Sequence, residues 1–261
     1  MIKKILYRSL WVLAILALLA FEIYALQKYG NTPCPKLNVE LNNNLAIPQL
    51  TSAQELRTEL LENHEPIEGQ KIKNLNLQQI EKNIGKISYI QDFNAFIDIS
   101  GSFSIKAKPR KAILRIYNQA GQQFYLGSDT VVMPLSTKHS VRVVLANGAL
   151  PKVNMNYFNK NSIDTLRLPA IYKKIYILAA KIQHDQFLNA LIDQIYVKQD
   201  QEFELIPKTG VSYIEFGTLN NMDDKLRRLK LFYINGKEKI NWTIYKSINL
   251  KYENQVVCTK N

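Results

Sequence analysis

The chain has 261 residues, 46% hydrophobic and 21% charged, with a formal net charge of +12 and no low-complexity stretch. This is ordinary globular composition, with enough chain to bury a core and form one large or two small domains. Its Lys and Arg residues are scattered rather than gathered in a stripe, so the basic excess reads as a solvated surface facing anionic lipid and envelope polymers, not a nucleic-acid footprint.

At the N-terminus, Lys3, Lys4 and Arg8 precede an apolar run from Ser9 to Leu26 that only Glu22 interrupts. Those 18 residues, at about 1.5 Å each, span roughly 27 Å, close to a hydrocarbon core of about 30 Å. Tyr7 and Trp11 stand at one end and Tyr24 and Tyr29 at the other, as an aromatic belt requires. Glu22 falls near the outer end, where a carboxylate reaches water. The expected arrangement is a cytoplasmic tail 1–8, a transmembrane helix 9–26, and an exported remainder, because the bases of this segment all precede it. A cleaved signal peptide is the competing reading. Cleavage needs small residues two apart, and Ala14, Ala17 and Ala20 recur three apart, so the helix is expected to stay as an anchor.

Residues 27–36 read as a linker, punctuated by Gly30, Pro33 and Pro35. A β-α-α-β-β pattern follows over 37–107. Leu37, Val39 and Leu41 alternate as a strand, and Thr51 with Gln54 resembles a capping box before a helix carrying Leu56, Leu60 and Leu61. Asn76 with Gln79 opens a second helix, whose apolar face is Leu77, Ile80 and Ile84 and which Gly85 can end. Phe93, Ala95, Ile97 and Ile99 alternate, Gly101-Ser102 turns the chain, and Phe103, Ile105 and Ala107 answer. Lys108-Pro109-Arg110 marks a boundary.

From residue 108 to 261 short strands dominate. Ile113, Arg115 and Tyr117 are expected to face Phe124 and Leu126 across an Asn118–Gly121 turn, with further strands at 140–145, 191–197, 202–206 and 211–216. Helical spacing appears at Ile171, Ile175, Leu178 and Ile182, and again at Met222, Leu226, Leu229 and Tyr233. The chain closes with strand-like Trp242–Tyr252 and an apolar piece, Val256-Val257. The fold class is therefore α+β: an anchor helix, a small β-α-α-β-β domain, and a strand-rich terminal domain with two helices.

This arrangement resembles the cell division family FtsQ, also called DivIB. The most specific stretch is Trp242–Val257, WTIYKSINLKYENQVV, which is similar to the family's closing signature. Gln123–Leu126 with Met133–Ser136 resembles the start of its terminal domain, and Gly210–Phe216 its central sheet. One departure is the turn Glu253-Asn254-Gln255, which lacks the glycine of many relatives. The resemblance implies a POTRA module at 37–107 and a non-enzymatic scaffold at the inner-membrane division septum. It implies FtsB-like and FtsL-like partners, possible further divisome members, and a part in controlling septal peptidoglycan synthesis. A single-POTRA envelope assembly adaptor is the alternative.

Catalytic chemistry is not evident. His64, His139 and His184 stand apart, no H-E-x-x-H, G-x-S-x-G or phosphate loop is present, and Cys34 and Cys258 have neither metal-site nor CxxC spacing. No cofactor is expected. By the resemblance, Ile248, Asn249, Leu250, Lys251 and Tyr252 receive the FtsB-like partner along a free strand edge, with Tyr252 as anchor. A recruitment surface is expected at Phe103, Ile105 and Lys106.

Overall fold

The computed structural model describes residues 2–42, 49–62, 67–136, 138–154, 168–236 and 241–261; His64 lies outside them. These residues form an α+β protein that divides into two compact units. One holds Met1–Asn42, Ser52–Gly85 and Asp92–Lys108, and the other Pro109–Asn261 with Lys86–Gln91 and Leu50.

The first unit begins with helix α1, Ile2–Asn31. Its stretch Leu10–Asn31 is long and apolar enough to cross a bilayer, and the large apolar side chains there are exposed. A helix bare of protein contacts on its apolar surface has lipid as its natural solvent, and α1 fits a single-pass anchor. It continues five residues past Leu26, so half of the expected linker is helical.

Strands β1 (Leu37–Leu41), β2 (Ile90–Ile97) and β3 (Phe103–Pro109) form a sheet in the order β1-β3-β2, with β1 parallel to β3. Helix α2 (Ala53–Glu62) buries Leu56 and Leu60, and α3 (Leu77–Ile84) buries Ile80 and Ile84. The α3 cap is the expected one: Asn76 Oδ1 accepts from the Gln79 amide at 3.0 Å. The α2 box sits one residue later than expected. Ser52 Oγ accepts from the Glu55 amide and Glu55 Oε2 from the Ser52 amide, both at 3.2 Å. A serine with glutamate three residues on completes both halves of the box, which Thr51 with Gln54 does not.

The second unit is built on a nine-stranded mixed sheet. Its strands are β4 (Ala112–Tyr117), β5 (Gln123–Gly127), β6 (Val132–Met133), β7 (Val144–Gly148), β8 (Ile192–Val197), β9 (Phe203–Pro207), β10 (Tyr213–Gly217), β11 (Tyr245–Asn249) and β12 (Val257–Lys260). The order is β12-β11-β10-β9-β8-β7-β4-β5-β6. The β4–β5 hairpin is displaced from the expected pairing: Leu114 lies opposite Leu126 and Ile116 opposite Phe124. Ile113, Leu114 and Ile116 are all buried, so alternation alone could not set the register.

Helix α4 (Ala170–His184) packs Ile171, Ile175, Leu178 and Ile182 into the core over β4, β7 and β8. A short helix α5 (Gln186–Leu191) follows. Asp185 caps it, accepting from the Phe187 and Leu188 amides at 2.9 and 3.1 Å. Helix α6 (Met222–Gly236) buries Leu226, Leu229 and Tyr233. The terminal unit thus has three helices among the described residues, not two. At Gly148, φ is +97° and a Cβ would sit 2.2 Å from the Val197 carbonyl oxygen, so only glycine fits where β7 meets β8.

Candidate functional site

The strand expected to form the free edge is not the edge. β11 lies between β10, to which it runs parallel, and β12, which pairs with it antiparallel through Ile248↔Cys258 and Asn249↔Val257. The few residues after the Glu253–Gln255 turn suffice to cover β11, and the edge passes to Val257–Lys260.

The register shows which backbone groups β12 leaves open. The Asn261 amide donates to the Ile244 carbonyl at 3.0 Å, pointing toward β11. Backbone groups alternate sides along an antiparallel strand, so Val257 and Thr259 also turn inward, while Cys258 and Lys260 turn their N–H and C=O outward. The β12 side chains are exposed except Cys258, which is half-buried against the core; burial pushes its thiol pKa up.

The turn before β12 is held by one arginine. Arg228 on α6 donates to the carbonyls of Leu250 at 3.2 Å, Tyr252 at 3.0 Å and Gln255. Its Nε is 2.7 Å from Asp224 Oδ2, and its side chain is largely buried. Asp224 also takes Arg227 at 2.6 Å. Hydrogen bonds from Arg227 and Arg228 hold its carboxyl below the usual range. Asn254 adopts φ +58°, a left-handed conformation that asparagine tolerates in place of glycine.

The five expected partner residues divide sharply. Ile248 and Leu250 are fully buried core side chains, because apolar residues of an inner strand point into the core. Asn249 Nδ2 donates to Glu215 at 2.7 Å. Lys251 Nζ lies 3.0 Å from Glu202 Oε2, a hydrogen bond that raises the lysine pKa. Tyr252 is 53% exposed at the lip of the turn with its carbonyl fixed by Arg228, and Lys251 is exposed beside it. Of the five, Tyr252 and Lys251 are thus on the surface, Asn249 is half-buried, and Ile248 and Leu250 are buried.

The expected recruitment surface is corrected in the same way. β3 is the central strand of its sheet, and Phe103 and Ile105 are fully buried, so neither side chain reaches a surface. Lys106 is exposed, 3.9 Å from Glu40 and 5.9 Å from the Phe96 ring centroid.

The Asp185 carboxylate beside His184 is occupied by two α5 amides and by Lys230 Nζ at 2.6 Å, and Lys230 holds its pKa down. Among the described residues no cluster of His, Cys, Asp or Glu could hold a metal ion, and Cys34 and Cys258 are free thiols.

The sequence matches the model of the family described as FtsQ/DivIB, C-terminal related, over residues 111–259, which is 149 of its 261 residues. The chain belongs to that family. No curated protein matches it. FtsQ/DivIB proteins are non-catalytic scaffolds of cell division, and the match contains the whole edge assembly of this member: Arg228 on α6, Tyr252 on the turn and nearly all of β12.

Proposed function

We propose that this protein is a bitopic division scaffold whose β12 edge receives an extended segment of an FtsB-like partner. The single observation carrying this reading is the outward N–H and C=O groups of Cys258 and Lys260 beside the exposed Tyr252. An edge strand with open backbone groups binds an added strand through main-chain hydrogen bonds, and a neighbouring aromatic gives selectivity. By docking that partner the protein joins an FtsB/FtsL-like pair to other division proteins and helps control septal peptidoglycan synthesis. The N-terminus stays cytoplasmic, the β-α-α-β-β unit is a periplasmic POTRA module, and the protein concentrates at the septum. The bases Lys3, Lys4 and Arg8 at the start of α1, ahead of its apolar run, support this orientation.

The test is a titration of the full chain, held in lipid nanodiscs, with the exported segment of the FtsB-like protein from its own host. Cys258→Pro removes one outward donor and spares the β11 ladder; it should weaken binding at least ~10-fold, one lost main-chain bond plus the ring's clash with an incoming strand. Cys258→Ala, which keeps the amide, should bind as the wild type does. A folded Cys258→Pro protein with unchanged affinity would move the interface away from β12.

A further inference from the structure

Helix α1 does not stop where its apolar run stops. It continues to Asn31 and passes straight into the small unit. The Tyr29 hydroxyl donates to the Asp98 carbonyl at 2.9 Å, and the Thr32 carbonyl accepts from the Ile72 amide at 3.0 Å. Pro33 pairs with Lys71 in an antiparallel bridge, and a Cβ on Gly30 would lie 3.5 Å from Lys73 Cβ. All of these contacts lie within one compact unit.

They set a height. Tyr29 is three residues beyond Leu26, so it stands roughly 4.5 Å above the end of the apolar run. The headgroup layer on each side of a bilayer is roughly 5 to 7 Å thick. With α1 set along the bilayer normal, the Asp98 carbonyl, and with it the tip joining β2 to β3, would lie at headgroup level.

That tip is rigid and carries an unusual cargo. The Gly101 amide donates to the Asp98 carbonyl, and the Asp98 amide to the Ser102 carbonyl, each at 3.0 Å. The Asp98 carboxylate accepts from the Ser100 hydroxyl at 2.5 Å and the Ser102 amide at 3.0 Å, and Gly101 takes φ +85°. The carboxylate is thus engaged within the turn. Ile99, the next residue, is 101% exposed. Lys28 near the end of α1, Lys71 paired with Pro33, and Lys73 next to Gly30 are also exposed. A lone exposed isoleucine on a soluble surface needs no explanation. One locked onto the outer end of an anchor helix, at the depth where apolar side chains gain by insertion and lysines meet lipid phosphates, does.

We infer that the β2–β3 tip is a membrane wedge. Ile99 enters the interface of the leaflet through which α1 emerges, and Lys28, Lys71 and Lys73 pair with anionic headgroups. The small unit is thereby held at fixed height and orientation on an anionic bilayer. The inference rests on α1 as an anchor and is independent of what β12 binds.

The test uses the full chain in nanodiscs containing anionic lipid brominated at shallow acyl positions. In a Trp11→Phe, Trp242→Phe background, Ile99→Trp should emit at a blue-shifted wavelength and be quenched by the brominated lipid. Adding Lys71→Glu and Lys73→Glu should reduce that quenching at least ~2-fold. Trp11 in a Trp242→Phe variant serves as control for the anchor. Quenched Trp11 together with water-like, unquenched emission from the Ile99→Trp variant would leave the anchor standing and overturn the wedge. Unquenched Trp11 would overturn the anchor, and the wedge with it.

Discussion

Arg228 shows how one side chain can shape a surface it does not occupy. Three carbonyls of the turn converge on its guanidinium, and Asp224 balances its charge. A planar fork with five donors suits this task, and an ammonium does not. Arg228→Lys should therefore lose most of the latch, and Arg228→Ala should cost about 2 to 3 kcal/mol in urea unfolding. Tyr252→Ala should leave stability unchanged and weaken partner binding roughly 30-fold, the signature of an exposed aromatic anchor. The pH sign follows from Asp224, whose folded pKa is lowered. Its contribution is complete above the ordinary aspartate pKa and is lost as pH falls through the depressed one, so amide exchange in the 250–256 turn should quicken only in acid. Tyr252 was singled out by the resemblance of Trp242–Val257 to the family's closing signature, not by periodicity or spacing. Arg228 was not: its acceptors are backbone carbonyls 22 to 27 positions away, which every residue type supplies.

The elements divide by the strength of their periodic signal. α4 and α6 were legible because four apolar residues in each fall on one helical face, and these are the residues the core takes up. β12 was missed because four residues, Val257–Lys260, are too few to show a period of two, and only the Val256-Val257 pair is apolar. That short strand nevertheless matters, since it converts β11 from edge to interior. α5 escaped notice for a similar reason, since six residues are too few to show a helical period. Gly148→Ala tests the tightest element contact: its Cβ would meet the Val197 backbone in a left-handed conformation, and the variant should lose about 3 kcal/mol or more, or fail to fold.

At the scale of the molecule, the chain comprises an apolar helix that fits an anchor, a small three-stranded unit and a large nine-stranded unit. The α+β class was legible in the sequence from its alternating and helical stretches. Sheet order was not, because parallel pairs such as β4 with β7 and β10 with β11 join strands far apart in the chain. The large unit also has a defined alkaline limit. Burial raises the Tyr233 pKa from 10.0 to about 12, and Tyr172 and Tyr176 shift the same way for the same cause. A raised folded pKa gives stability that is complete below the unfolded value and lost above it. The urea midpoint should thus fall as pH rises from 10.0 to about 12, and less steeply in Tyr233→Phe.

The central claim is that β12 is where the partner chain is added. Hydrogen–deuterium exchange on the full chain in nanodiscs, with and without the exported segment of the FtsB-like protein, addresses it directly. The expected result is partner-dependent slowing in the terminal peptide carrying the outward amides of Cys258 and Lys260, with the β6 edge at Val132–Met133 unchanged. Saturating partner that slows exchange elsewhere, and leaves residues 257–261 as fast as in the free protein, would contradict the account.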